Sequence, residues 1–233
     1  MKLEPRFFPM GDRALVIEFG HRIDVELSRA IAGIAAGLRA ISLPGVTDVV
    51  PAYTTLTLHY DPAIVGADPY DAMMAAVSEH LLSAFDSTPA PGRRVEIPVC
   101  YGGRHGEDLE SLAASLGLRA AEVIRIHSEA EYQVHMLGFI PGFAYLGGLD
   151  ARIAAPRHAT PRSSVPAGSV AIGGEQTGVY PLDTPGGWLL IGRTPLRLFD
   201  PDSPTPCVLA AGDTVRFVAI TAAQFASHRH AQT

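Results

Sequence analysis

The sequence predicts an α+β chain in two parts: a small open-sheet α/β domain over residues 1–85, a linker over 86–94 and a β-rich domain over 95–233. Three observations carry this. Residues 1–85 alternate between helix and strand periodicities, Ser83–Arg94 (SAFDSTPAPGRR) has no period, and Pro161–Pro195 holds seven Gly and five Pro in 35 residues. Turn-formers at that density exclude long helices and leave short strands joined by tight turns, as in a small barrel or sandwich.

Ala14–Phe19 reads as the first strand. Leu27, Ile31, Ile34, Leu38 and Ile41 then fall on one stripe of a helix over Asp24–Ala40. Strands follow at Val46–Val50 and Thr54–Tyr60, the second setting Leu56, Leu58 and Tyr60 against Thr55, Thr57 and His59. Asp68 before Pro69 is an N-cap with proline at the first helical position, opening a helix with Met73, Met74, Val77 and Leu81 inside. Strand, helix, strand, strand, helix is most of a split β-α-β layout, with both helices on one face of the sheet. Past the linker come a strand at Arg94–Val99 and short helices at Asp108–Leu116 and Ala120–Ser128, the first stopped by Gly117. Ser169–Ile172 and Trp188–Ile191 are apolar runs of strand length, and His228–Thr233 reads as a frayed tail.

Composition narrows the chemistry. With 233 residues, 47% hydrophobic and 18% charged, the chain is long enough to bury a proper core. Its net charge of −6 repels polyanions, so no nucleic-acid partner is expected. Lysine occurs once, at Lys2, which removes a P-loop lysine, a Schiff-base lysine and any internal site for biotin or lipoate. No covalently bound cofactor is expected. Cys100 and Cys207 lie in no metal-binding spacing and read as reduced core residues. Glu4, Pro5 and Asp12 interrupt any signal-peptide stretch and no apolar run is long enough for a membrane span, which points to the cytoplasm and away from a membrane.

Few groups suit catalysis. There is no G-x-S-x-G elbow, and Ser163 and Ser164 read as turn serines. His228 with His230, and His127 with His135, lack a third ligand at a recognisable spacing, so no metal site is expected. IGGEQTG at Ile172–Gly178 is either a tight strand connection or a loop whose N–H groups and Gln176 amide meet a polar ligand. Arg157 and Arg162 lie in the Pro-bounded segment PRHATPR, and Arg193 ends a strand. Guanidinium groups on such fixed backbone suit a carboxylate or phosphate, the alternative being ion pairs to Asp183 or Asp200. In GFIPGFAYLGG, four glycines and a proline hold Phe139, Phe143 and Tyr145 on irregular backbone, as a pocket wall, a partner interface or core.

The same stretches resemble a known family. LGFIPGFAYLGGL, together with PRHATPRSSVPAGSVAIGGEQTGVYPLDTPGGWLLIGRT at Pro156–Thr194, is similar to the signature of the 5-oxoprolinase B-subunit family. That family is also called allophanate hydrolase subunit 1 and includes the Kip-type inhibitors of sporulation histidine kinases. The resemblance is strong over Val95–Val218 and weaker before it. It implies a small α/β domain joined to a cyclophilin-like β-barrel, within a complex that hydrolyses 5-oxo-L-proline to L-glutamate using ATP. A protein like the 5-oxoprolinase C-subunit and a LamB-type subunit are the implied partners, with ATP and Mg2+ acting at the level of the complex. The positions that match the family motif are His127, Gly138, Phe139, Pro141, Gly142, Tyr145, Arg157, Arg162, Gln176, Thr177, Tyr180 and Trp188. With Arg193 added and the two glycines set aside, these are the expected binding or interface residues, and catalytic residues stay unassigned. In the implied mechanism Arg157 or Arg162 clamps the substrate carboxylate, Gln176 and Tyr145 orient its ring, and the lactam oxygen is phosphorylated in a site half supplied by the C-subunit. The chain is then inactive alone. The alternatives are a carboxyltransferase component of a urea carboxylase or allophanate-type system, and an inhibitor of a sensor histidine kinase. Two positions depart from the pattern: Glu175 stands where proline is expected, and His135–Met136 replace bulky apolar residues before Leu137.

Overall fold

The computed structural model describes residues 5–85 and 92–230 and divides between Pro91 and Gly92 into two units, each with its own core. Of the linker expected over 86–94, residues 86–91 lie outside the described residues, and Arg94 already opens a strand.

In the first unit the strands are β1 (Arg6–Pro9), β2 (Ala14–Glu18), β3 (Val46–Ala52) and β4 (Thr55–Tyr60). The helices are α1 (Val25–Ile41), the single turn α2 (Pro62–Val65) and α3 (Pro69–Phe85). The sheet order is β1-β2-β4-β3, antiparallel throughout, so the β2-α1-β3 crossover spans β4 in the expected split β-α-β layout. Leu15, Ile17, Leu56 and Leu58 put every second side chain against Leu27, Ile31, Ile34 and Leu38 of α1 and Met73, Val77 and Leu81 of α3. Each such burial contributes about 1.5–3 kcal/mol. Asp24 caps α1 by accepting the Leu27 N–H at 2.8 Å. Ile41 leaves the stripe and is exposed, because the chain turns left-handed at Ser42 immediately after it. Strand β1 escapes the periodicity: its consecutive Phe7 and Phe8 show no alternation, and it is fixed by register with Ile17 and Val16 of β2.

The second unit is a closed barrel. Its strands are β5 (Arg94–Tyr101), β6 (Glu131–Leu137), β7 (Ala144–Gly147), β9 (Ser169–Gly173), β10 (Gln176–Val179), β12 (Leu189–Arg193) and β13 (Thr214–Ala219). Around the barrel the order is β10-β7-β6-β13-β5-β12-β9, closing back onto β10. Every pair is antiparallel except β13 with β5, so the first and last strands of the unit run together. Closure leaves no unpaired edge in the barrel. β8 (Arg162–Val165) and β11 (Thr184–Gly186) form a separate two-stranded arm. Helices α4 (Leu109–Ser115) and α5 (Ala120–Glu129) share the barrel core through Leu109, Leu112, Val123 and Ile126. The Gly/Pro-rich span is thus barrel and arm. Two expectations change. His228–His230 belong to α6 (Ala222–His230) rather than to a frayed tail, of which 231–233 lie outside the described residues. Cys100 is buried and Cys207 only half-buried, and both are free thiols. No helix among the described residues is long and apolar enough to cross a membrane.

The loop between β5 and α4 approaches β12 closely. Gly102 N–H donates to Ile191 O at 3.1 Å and Asp108 N–H to Leu190 O at 2.9 Å. Gly106 permits this, since a Cβ there would lie 2.1 Å from Ile191 O. Replacing Gly106 with Ala should therefore lower stability by about 1–3 kcal/mol through backbone displacement. A thermal melt checks this, and a wild-type melting temperature contradicts it.

Candidate functional site

Alternation along the barrel strands sends side chains to two different places. Val170, Ile172, Val179, Ala144, Leu146 and Ile191 face inward into the barrel core. Ala171, Tyr180, Phe143, Tyr145, Trp188 and Leu190 belong to a second cluster, on the outside of β7, β10, β9 and β12, where Val165 of the arm joins them. Phe143 is its hub, with ring centroids 4.9 Å from Tyr145, 5.2 Å from Tyr180, 5.6 Å from Trp188 and 5.6 Å from Phe139. Edge-on contacts of this kind fix ring orientation as well as burying area. IGGEQTG is the β9–β10 hairpin, and Gly173 lies under the Trp188 indole: a Cβ there would sit 2.5 Å from the ring. The run is a strand connection built to admit an aromatic face.

The loop read as irregular is partly strand. Ala144–Gly147 is β7, Phe143 is buried core, and Tyr145 is half-buried on the outer face. Phe139 and Pro141 are exposed at the loop tip, with Phe139 at φ 72° and 61% accessible. A bulky residue in that region is strained by roughly 1–3 kcal/mol.

Arg157 is exposed, with its guanidinium carbon 5.9 Å from the centre of the Trp188 ring, and it has no ion-pair partner among the described residues. Arg162 is different. Its Nη2 donates to Asp108 Oδ1 at 2.6 Å, so its structural partner is Asp108 and neither Asp183 nor Asp200. Asp183 accepts the Ala167 N–H at 2.6 Å, and Asp200 pairs with Arg197 at 3.2 Å. Asp108 also accepts the Leu190 N–H through Oδ2 at 2.6 Å, and His158 Nε2 lies 3.3 Å from the same oxygen. Burial pushes the Asp108 carboxyl up, but the Leu190 N–H, Arg162 and His158 together outweigh it and hold the group below its ordinary range. Tyr180 is raised, chiefly by burial, against the opposing influence of a Trp188 backbone hydrogen bond and the Arg157 and Arg162 charges.

The expected residues therefore divide. Tyr145, Arg157, Arg162, Tyr180 and Trp188 come together on the outer face, and Gln176, half-buried at the start of β10, shares the outward parity of Gly178 opposite Tyr145. Arg193 is held apart by its Nε donating to Ala167 O at 2.8 Å. His127 and Thr177 lie inside the barrel. The His127 ring stacks on Phe217 at 4.6 Å, with Nδ1 2.8 Å from the Tyr101 hydroxyl and Nε2 2.9 Å from Thr177 Oγ1. Thr177 donates to Ala171 O at 2.9 Å, so its oxygen accepts from Nε2–H and Nδ1 accepts from Tyr101. Both ring nitrogens are satisfied and neither is open to a ligand. Asp108 and His158 are the members that sequence reasoning missed; Asp108 showed only as the start of a helix, 54 positions before Arg162. Among the described residues no three His, Cys, Asp or Glu side chains converge on a metal position.

The family model of the carboxyltransferase domain, subdomain C and D, matches residues 5–209. The 5-oxoprolinase B-subunit of Bacillus subtilis (strain 168) is 45% identical over 227 residues, covering 94% of this chain and 95% of the relative. The solved structure of TTHA0988 matches 89% of this chain at 37% identity and TM-score 0.78, and the chain spans 40% of its length. Kluyveromyces lactis urea carboxylase, 17% identical, shares the fold over 97% of this chain and 22% of its own, with TM-score 0.71.

Burial holds His127 neutral, lowering its pKa to about 3. Below pH about 6.5 the unfolded chain binds a proton that the folded chain refuses, so stability is complete above that pH and falls as pH drops, by up to about 1.4 kcal/mol per unit. His127→Gln should flatten the slope of melting temperature between pH 6.5 and 5, as followed by calorimetry; an unchanged slope contradicts the assignment.

Proposed function

The chain belongs to the 5-oxoprolinase B-subunit family, and from that premise we propose that it supplies the substrate-carboxylate half of a site completed by partner subunits. The complex hydrolyses 5-oxo-L-proline to L-glutamate, driven by ATP. One observation carries the assignment: an exposed guanidinium, Arg157, lies over the face of a buried indole without an ion-pair partner among the described residues. A cation–π contact at 5.9 Å restrains the guanidinium while its N–H groups stay open to a bidentate carboxylate. Arg162, already neutralised by Asp108, serves as frame.

The substrate has a carboxylate and a lactam amide on one small ring. With the carboxylate on Arg157, the ring lies toward Tyr145 and Gln176, and the lactam oxygen is left for groups on a partner. Orientation of this sort converts a bimolecular encounter into a unimolecular step. No lysine follows Lys2 to meet a phosphoryl group, and ATP handling is assigned to the other subunits. A carboxyltransferase role, favoured by the matched domain description, needs a separate biotin protein, because no lysine follows Lys2. ATP-dependent turnover of 5-oxo-L-proline by the three subunits without a biotin protein separates the two.

In the reconstituted complex, Arg157→Ala should raise KM for 5-oxo-L-proline at least about tenfold, the scale of one hydrogen bond to a charged group. The melting temperature of the unliganded chain should stay near wild type, since Arg157 is exposed. Steady-state kinetics measure this, and a wild-type KM rejects the site.

A further inference from the structure

The segment that carries Arg157 runs on the surface from 156 to 162, with prolines at 156 and 161 limiting its backbone. Its backbone is tied to the arm by His158 N–H donating to Gly187 O at 2.7 Å. Its side-chain ties converge on one group. Arg162, five residues after Arg157, donates to the Asp108 carboxylate at 2.6 Å, and His158 Nε2, next to Arg157, lies 3.3 Å from it without a hydrogen bond. Asp108 is itself fixed to the strand that begins one residue after Trp188. Its N–H donates to Leu190 O at 2.9 Å and its Oδ2 accepts from Leu190 N at 2.6 Å. One buried residue thus anchors the segment bearing the guanidinium of Arg157 and the strand that follows the indole of Trp188.

We propose that Asp108 is the positioning residue of the anion site: through Arg162 it holds the 156–162 segment against β12 and so sets Arg157 over Trp188. The inference rests on Arg157 being the carboxylate contact. Asp108 itself touches no substrate, and its effect is on binding geometry. An interaction lost equally from ground and transition states raises KM and leaves kcat.

The test uses two variants in the assembled complex. Asp108→Asn keeps an oxygen for the Leu190 N–H and removes the charge that holds Arg162. Asp108→Asn/Arg162→Gln removes both charges, so that a chain destabilised by one uncompensated buried ion still folds. Each folded variant should raise KM for 5-oxo-L-proline about tenfold, as for one lost charge-assisted contact, with kcat within about twofold of wild type. Trp188 is the sole tryptophan, so the emission of the ligand-free chain reports the stacking directly. Its spectrum in these variants should shift in the direction that Arg157→Ala shifts it. A lowered melting temperature with wild-type KM and wild-type emission overturns the proposal and leaves Asp108 a structural residue. If Arg157→Ala raises KM while both Asp108 variants behave as wild type, the positioning role alone fails. If Arg157→Ala has wild-type KM, the carboxylate site and the positioning role fail together.

Discussion

A carboxylate buried beside the barrel costs several kcal/mol unless its charge is matched and its lone pairs are filled, and Asp108 meets that demand from two separate stretches of chain, β12 and the 156–162 segment. Leu190 supplies a backbone N–H from β12 and Arg162 a guanidinium from the start of β8, with His158 Nε2, four residues before Arg162, 3.3 Å from the same carboxylate. None of these groups is close to Asp108 in sequence. Satisfying one buried ion therefore dictates how the arm, the 156–162 segment and the loop before α4 meet. Gly106 makes the loop's approach sterically possible.

The barrel strands serve two cores at once. Inward, β9, β10 and β12 contribute Val170, Ile172, Val179 and Ile191 to an apolar interior that also holds the neutral His127 between Tyr101 and Thr177. Outward, the same strands present Ala171 and Leu190 to the aromatic cluster around Phe143, with Tyr180 immediately after β10 and Trp188 immediately before β12. The site follows from this division. A closed barrel gives the indole a fixed plane, and the Arg157 guanidinium lies 5.9 Å from its centre without an ion-pair partner among the described residues.

Much of the fold was legible from local pattern. Helices α1 and α3 and strand β4 showed because their apolar residues recur at 3.6 or 2 positions and their starts carry Asp24, or Asp68 before Pro69. Strand β1 was not legible, since Phe7 and Phe8 acquire their two faces only by pairing with β2. Strand β7 was hidden among glycines. The site was legible in part. Resemblance pointed to Arg157, Trp188, Tyr145 and Tyr180, but it also pointed to His127 and Thr177, whose burial no local pattern reveals. That Arg162 is paired while Arg157, five residues before it, is not depends on Asp108, 54 positions from Arg162, and pairing at that range leaves no periodic trace.

The functional reading turns on one contact: the outer face of the barrel, through Arg157 on Trp188, holds the substrate carboxylate. An experimental structure of the assembled complex with 5-oxo-L-proline bound would observe that contact itself. The carboxylate is expected within about 3 Å of the Arg157 guanidinium nitrogens, the distance of a charge-assisted hydrogen bond, with Asp108 still bridging Arg162 and Leu190. Substrate bound elsewhere, with Arg157 contacting only solvent or a partner's side chain, would contradict it.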